Sequence, residues 1–340
     1  MKGPVGTPTS RRSILRRRTV VCVLAALACA FAIGCGDSAG GTSGGGTGYE
    51  TTAVGPGDRT AAARAVNGAG LVVGGAEGPE GAGQAFRWRA GYTQALDGSD
   101  AWSVNDRGEV AGESGGVACL WGADGGIRAL PFRSIARGVN SAGEVVGEVE
   151  TGAGTAAFLW QEDHLHLLGG LGGNWSAAYG INDGGQVVGW AETEDRRLVA
   201  FRWEAGVMTP LGTLGGPTSV AYAINEAGQA AGYSTTTHGA DRAFLVEPHG
   251  ELVSLGTLGG YSVAYDVDNL GRVVGESLTL GGRAHAFLWE AGRMVDLNDL
   301  LTTGSGWELS RAYAISDEGH IAGQGLLHGE PRAFLLTPVP

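Results

Sequence analysis

Basic charge is scarce where a polyanion would have to be held. Six of the 23 basic residues (Lys2, Arg11, Arg12, Arg16, Arg17 and Arg18) precede Cys35, and all 35 acids follow it. From Cys35 onward 17 basic residues face 35 acidic ones, a formal charge of −18. Phosphate backbones need a basic footprint, so nucleic acid is excluded as a partner. Cysteine is scarce as well. Of the four cysteines, Cys22 and Cys29 belong to the leader and Cys35 ends it, which leaves Cys119 alone. No internal disulfide can then brace the mature monomer. The 63 glycines follow no Gly-X-Y period, which excludes collagen. The apolar stretch Thr19–Gly34 is 16 residues long, short for a spanning helix and suited to a signal peptide.

What the chain has in abundance is one formula, repeated seven times between Asn67 and Gly323. An apolar residue precedes a polar turn residue; a glycine follows three places later and a second glycine four places after that. The copies are Val66-Asn67 with Gly70 and Gly74, Val104-Asn105 with Gly108 and Gly112, and Val139-Asn140 with Gly143 and Gly147. They continue as Ile181-Asn182 with Gly185 and Gly189, Ile224-Asn225 with Gly228 and Gly232, Val267-Asp268 with Gly271 and Gly275, and Ile315-Ser316 with Gly319 and Gly323. A period of about 35–48 residues marks a propeller, solenoid or array.

Within the fourth copy, Ala178-Tyr179-Gly180-Ile181 alternates as a strand does, and Asn182-Asp183-Gly184-Gly185 makes a tight turn. Gln186-Val187-Val188-Gly189, Ala200-Phe201-Arg202-Trp203 and Met208-Thr209-Pro210-Leu211 supply three more strands, with Pro210 at an edge. Four short antiparallel strands per repeat build a propeller blade. The expected fold is therefore all-β, a β-propeller of seven four-stranded blades over residues 49–340. The seventh copy ends after its third strand, so Tyr49–Val54 is expected to add the fourth and close the ring. In the third strands Phe86/Trp88, Phe158/Trp160, Phe201/Trp203 and Phe287/Trp289 share one face and Ala85, Ala157, Ala200 and Ala286 the other, a pattern of core packing. Cys119 stands where the other copies have Phe and reads as a buried core thiol.

The leader reads as an export address. Arg11–Arg18 is a basic segment ahead of the apolar one, and Ala32-Ile33-Gly34-Cys35 resembles the lipobox of bacterial lipoproteins, with Ala32 in place of the usual Leu. That resemblance implies cleavage after residue 34 and a lipid on Cys35. Gly36–Gly48 then has the composition of a flexible tether, so residues 1–34 are signal peptide and 35–48 linker. Gly36 is not the Asp linked with inner-membrane retention, which implies the outer membrane or cell surface. Ser10–Arg16 also resembles a twin-arginine export motif, and either route leads out of the cytoplasm.

Leu211-Gly212-Thr213-Leu214-Gly215-Gly216, Ala221-Tyr222-Ala223-Ile224-Asn225, His285-Ala286-Phe287-Leu288-Trp289 and Arg332-Ala333-Phe334-Leu335-Leu336-Thr337-Pro338 resemble the HAF-repeat family of extracellular repeat proteins. The resemblance spans roughly residues 49–340. The first two copies lack the Leu-Gly-Thr-Leu-Gly-Gly segment, and only His285 supplies the histidine before Ala-Phe. It implies an exported bacterial protein and assigns no catalytic residue.

Signs of chemistry are weak. Gly112-Glu113-Ser114-Gly115-Gly116 and Gly36-Asp37-Ser38-Ala39-Gly40 match Gly-x-Ser-x-Gly, but a hydrolase elbow needs a strand, a sharp turn and a helix. Asp266–Gly271 resembles the front of a calcium loop yet aligns with six ordinary turns, and His164 and His166 have no third ligand beside them. No metal, cofactor or catalytic residue is expected. One position suits recognition. Three residues before each turn residue stand Arg64, Trp102, Arg137, Tyr179, Tyr222, Tyr265 and Tyr313, a candidate ring near one opening of the channel. The alternative is packing between blades. The expected function is that of an exported, lipid-anchored, monomeric binding or adhesion module whose unknown extracellular ligand is a glycan, peptide or envelope protein. The alternatives are a propeller hydrolase or lyase acting on polysaccharide or peptide, and a structural envelope scaffold.

Overall fold

In the fourth copy the chain runs as four antiparallel strands, Gly172–Ile181, Val187–Thr193, Leu198–Glu204 and Val207–Gly212, each paired with the next. A computed structural model describes residues 48–339 except 58, 79 and 80, so the leader, Cys35 and most of the tether lie outside the described residues. Strands dominate throughout, and the strand ladders within every repeat are antiparallel, with isolated parallel bridges at Leu171↔Thr193 and Leu214↔Thr236.

The two glycines of the formula have different causes. The first (Gly70, Gly108, Gly143, Gly185, Gly228, Gly271 and Gly319) has φ between 70° and 85° in every copy, where side chains are strained. The second packs its Cα against the neighbouring strand. A Cβ on Gly74, Gly112, Gly147, Gly189, Gly232, Gly275 or Gly323 would fall within 1.9–2.3 Å of a backbone carbonyl oxygen.

The turn asparagine does two jobs. Its Oδ1 accepts the backbone N–H four residues on, as Asn182 does from Gln186 at 2.9 Å. Its Nδ2 crosses to the next repeat: Asn67 donates to the Asn105 carbonyl (3.0 Å), Asn105 to Asn140 (2.8 Å), Asn140 to Asn182 (3.2 Å), Asn182 to Asn225 (3.0 Å) and Asn225 to Asp268 (2.8 Å). The Asp268 side chain has no N–H to give. Its carboxylate instead binds Arg272 Nε at 2.5 Å, and the guanidinium continues the chain of donors to the carbonyls of Ser316 (3.4 Å) and Asp317 (3.0 Å). The expected calcium-like segment is thus a variant turn carrying an ion pair.

Buried serines stitch the outer layer. Ser176, Ser219 and Ser262 accept the N–H of Ala157, Ala200 and Ala243 on the preceding repeat, each at 2.9 Å, and donate to the carbonyls of Gly169, Gly212 and Gly256. The third-strand faces pack as their pattern predicts. Phe86, Phe158, Phe201, Phe244, Phe287 and Phe334 are fully buried, and Cys119 fills the equivalent place in the second repeat as a free, buried thiol.

Two features depart from separate four-stranded units. Ile127–Val139 is one continuous strand that serves as outer strand of the second repeat and inner strand of the third, joining both into a seven-stranded sheet. No glycine interrupts it before Gly138, whereas Gly212, Gly215 and Gly256 break later connections at positive φ. A single parallel bridge between Leu198 and Thr218 likewise links the fourth and fifth repeats. At the ends of the described chain, Tyr49–Val54 pairs antiparallel with Glu330–Pro338 in register from Tyr49↔Pro338 to Val54↔Ala333. Ala61, Ala63 and Phe86 of the first repeat share one core cluster with Ala314, Ala322 and Leu335 of the seventh.

Candidate functional site

Each inner strand carries a β-bulge, and in all seven repeats the extra residue is the one singled out from sequence. The register slips between Ala63 and Ala65, Ala101 and Ser103, Ala136 and Gly138, Ala178 and Gly180, Ala221 and Ala223, Ala264 and Asp266, and Ala312 and Ala314. The residues between them are Arg64, Trp102, Arg137, Tyr179, Tyr222, Tyr265 and Tyr313. A bulged residue leaves the ladder and its side chain is re-aimed, a device found beside binding sites.

These side chains touch in sequence order and return to the start. The Arg64 guanidinium lies 4.7 Å from the Trp102 ring centre and 4.9 Å from that of Tyr313. Arg137 lies 4.5 Å from Trp102 and 5.7 Å from Tyr179. Tyr179–Tyr222, Tyr222–Tyr265 and Tyr265–Tyr313 follow with ring centres 5.1, 5.7 and 5.1 Å apart. Trp102 is therefore held between two cations, which favours both through the ring quadrupole. All seven residues are half-buried.

The belt has a charged side and an aromatic side. Arg137 pairs with Glu148 at 2.8 Å, both side chains being 12% exposed, and Arg64 with Asp100 at 3.4 Å. Glu276 accepts from Tyr265 Oη at 3.0 Å and from Arg311 Nε at 2.5 Å. Burial pushes the Asp100 carboxyl up against the pull of Arg64, and burial followed by Glu276 raises Tyr265 well above the usual phenol range. Around Tyr179 and Tyr222 the neighbours are aromatic: Trp190 Nε1 donates to Tyr179 Oη at 3.4 Å, and Tyr233 stacks on Tyr222 at 6.2 Å. Of the partners that escaped the sequence reading, Glu148, Trp190, Tyr233 and Glu276 stand just after the second glycine of their repeats. Their shared position in the formula is the signal that locates them.

Toward the turns the inner strands end in an apolar collar of Val66, Val104, Val139, Ile181, Ile224, Val267 and Ile315. It lines a funnel of about 240 Å³ together with the turn residues of all seven repeats. Its rim is acidic, with Asp106, Asp183, Glu226, Asp317 and Glu318. Several of these carboxylates are already engaged: Asp183 accepts Ser141 N, Glu226 accepts Asp183 N, and Asp317 accepts Asn269 N.

Among the described residues no three or more His, Cys, Asp or Glu side chains gather as a metal site. Ser114 ends the strand Val110–Ser114, and Gly115 and Gly116 form a hairpin at positive φ with no helix following, so the elbow geometry is missing there. Ser38 and Cys35 lie outside the described residues. His164 turns its Nδ1 to the Glu162 carbonyl at 2.7 Å.

No family model matches the chain, and no curated protein matches it. Solved structures do match. The β-propeller domain of the trilobed protease from Pyrococcus furiosus, described as having an open velcro topology, superposes with a TM-score of 0.58 at 9% identity, covering 83% of this chain and 94% of that one. An acylaminoacyl peptidase from Pyrococcus horikoshii superposes with a TM-score of 0.56 at 12% identity over 82% of this chain. The chain spans about half of that peptidase, 51% of its length. Identities this low carry the fold alone, and the fold is an all-β propeller.

Proposed function

We propose that the protein is an exported, lipid-anchored propeller of seven four-stranded blades, closed by Tyr49–Val54, that recognises an extracellular ligand and performs no chemistry on it. The observation that carries this reading is the belt. Seven bulges place seven large side chains at one level, and the belt mixes cation, indole and phenol where glycines and turns are uniform. A repeat that needed only packing there would gain nothing from two arginines that each require a half-buried carboxylate. Closure is supported by the pairing of Tyr49–Val54 with Glu330–Pro338 and by the contact of Tyr313 with Arg64. Export, the lipid on Cys35 and a place at the outer membrane or cell surface rest on the leader's resemblance to lipoprotein signals. The likeness to HAF-repeat proteins agrees with that location.

A cation beside stacked phenols suits a glycan, or a peptide with aromatic or acidic side chains. Purified protein screened against glycans and peptidoglycan fragments should bind at least one class, with mass spectrometry detecting no conversion of the ligand. Alanine at position 137 would strand Glu148, so the discriminating variant is the double change Arg137→Gln with Glu148→Gln. It keeps a neutral pair in place and should weaken binding about tenfold or more through loss of the charge-assisted contact. Turnover of a bound ligand would contradict the recognition reading.

A further inference from the structure

Several residues that depart from the repeat gather at one place away from the belt. Between the first and second repeats, beside the turns, lies a cleft of about 260 Å³ lined by Arg87, Arg89, Tyr92, Gln94, Arg107 and Ala123, among others.

The central residue of the third strand is Leu in five copies and Arg in two, Arg87 and Arg202. Arg202 shows this arginine at a closed junction. Its guanidinium is buried and donates to the carbonyls of Pro248 and Gly228, with the Pro248 ring packed beside Gly228. At the first junction Ala123 takes the place of Pro248 in a matching turn, where Gly125 N donates to Gly122 O as Gly250 N does to Glu247 O, both at 3.1 Å. The smaller side chain leaves the space open. Arg87 then reaches the Gly122 and Ala123 carbonyls only at 3.3 and 3.5 Å and is steadied by Gln94 at 2.8 Å.

Three further residues line the same opening. Arg89 is exposed and occupies the position held by Glu204, Glu247 and Glu290 in other repeats, a reversal of charge. Arg107 replaces the small third turn residues Ala69, Ala142, Gly184 and Ala227. It is 60% exposed, lies 3.7 Å from Glu109 and donates to the Ser141 carbonyl at 2.8 Å. Tyr92 leaves 71% of its surface in solvent. The acid of the lining, Asp106, already accepts Gly68 N at 3.1 Å.

We propose that this cleft binds a carboxylate-bearing sugar, a uronic acid unit of an acidic polysaccharide. Arg89 and Arg107 meet the carboxylate, whose geometry the planar guanidinium matches. Tyr92 offers a flat face to the sugar ring. The volume lies below the roughly 300 Å³ at which drug-sized pockets begin, which suits a single ring. Three arginines at one opening also make a local exception on a chain that carries −18 beyond Cys35. An acidic polymer would be repelled elsewhere and held here.

The full-length protein in detergent, at low ionic strength, is titrated calorimetrically with galacturonic acid, galactose, acetate and inorganic phosphate. Galacturonic acid should bind with saturation, and the other three about tenfold more weakly or worse. Ala123→Pro, which fills the cleft at a turn position that favours proline, and Arg89→Glu, which restores the acid of other repeats, should each remove most of the affinity without lowering Tm. If Ala123→Pro proves unstable, the exposed Arg89→Glu carries the test. Raised salt should weaken binding. The Arg137→Gln/Glu148→Gln belt variant should leave it unchanged, which separates this site from the belt. Equal affinity for acetate or phosphate, indifference to Arg89→Glu, or absence of galacturonate binding would overturn the assignment.

Discussion

Gly189 and Asn182 show how little freedom the repeated formula has at single positions. A methyl on Gly189 would drive into the Ala177 carbonyl, so Gly189→Ala should destabilise by about 1–3 kcal/mol or more in chemical denaturation, as overpacking does. Asn182→Ala should cost a comparable amount, because the Gln186 N–H and the Asn225 carbonyl both lose a partner. Equal stability of either variant would refute the structural role given to the formula. Asp266 carries a pH signature. It replaces the small residue just before the collar and accepts Val267 N and Ile315 N, both at 2.9 Å. Burial pushes its carboxyl up to about 7, with Asp268 and Asp317 adding to the rise and the two N–H groups opposing it. An unfolded aspartate releases its proton near ~3.9, so the native state holds more protons across the interval between. Stability should accordingly be greatest at or below pH 4 as far as this group is concerned, and fall as pH rises through about 7. Asp266→Asn, which loses one acceptor, should start lower at acid pH and show a flatter profile in Tm against pH.

At the scale of the strand, the end pairing can be tested by removal. Deleting residues 49–54 exposes the edge of Glu330–Pro338 and removes the buried Tyr49 and Val54 from the core, so Tm should drop by several degrees. An unchanged Tm would count against closure. Much of this scale was legible in the sequence. The seven turns, the four strands of the fourth copy and the partner strand at Tyr49–Val54 all follow from period-two alternation and glycine spacing. The bulges were not legible, because an extra residue in a strand of alanines leaves no mark on the pattern. Counting three residues back from the turn found Arg64 and its six counterparts, yet not that each stands outside the ladder. The fused strand Ile127–Val139 was hidden for a related reason: the missing Leu-Gly-Thr-Leu-Gly-Gly segment was visible, but its consequence depends on which glycines take positive φ. The serines at 176, 219 and 262 carry no mark in the sequence, because the N–H groups they accept, those of Ala157, Ala200 and Ala243, belong to the preceding repeat.

Across the whole molecule, uniformity and variation are divided between two tasks. The asparagine ladder, the paired glycines and the phenylalanine core recur because each repeat must meet its neighbours in the same way. The belt and the cleft between the first two repeats are places where the repeat sequence departs from its own rule, as it also does in the turn spanning residues 266–272. The cleft was missed in the sequence because its residues come from two repeats, whereas Glu148 and Glu276 share a repeat with Arg137 and Tyr265 and are brought to them by strand pairing. The direct test of the account is ligand titration followed by tryptophan fluorescence, since Trp102 sits between Arg64 and Arg137. A glycan or peptide that engages the belt should change the emission with saturation, and Trp102→Phe should abolish that change while the remaining tryptophans report a folded protein. Saturable binding that leaves Trp102 emission untouched, and that survives the Arg137→Gln/Glu148→Gln change, would show that the belt only holds the blades together.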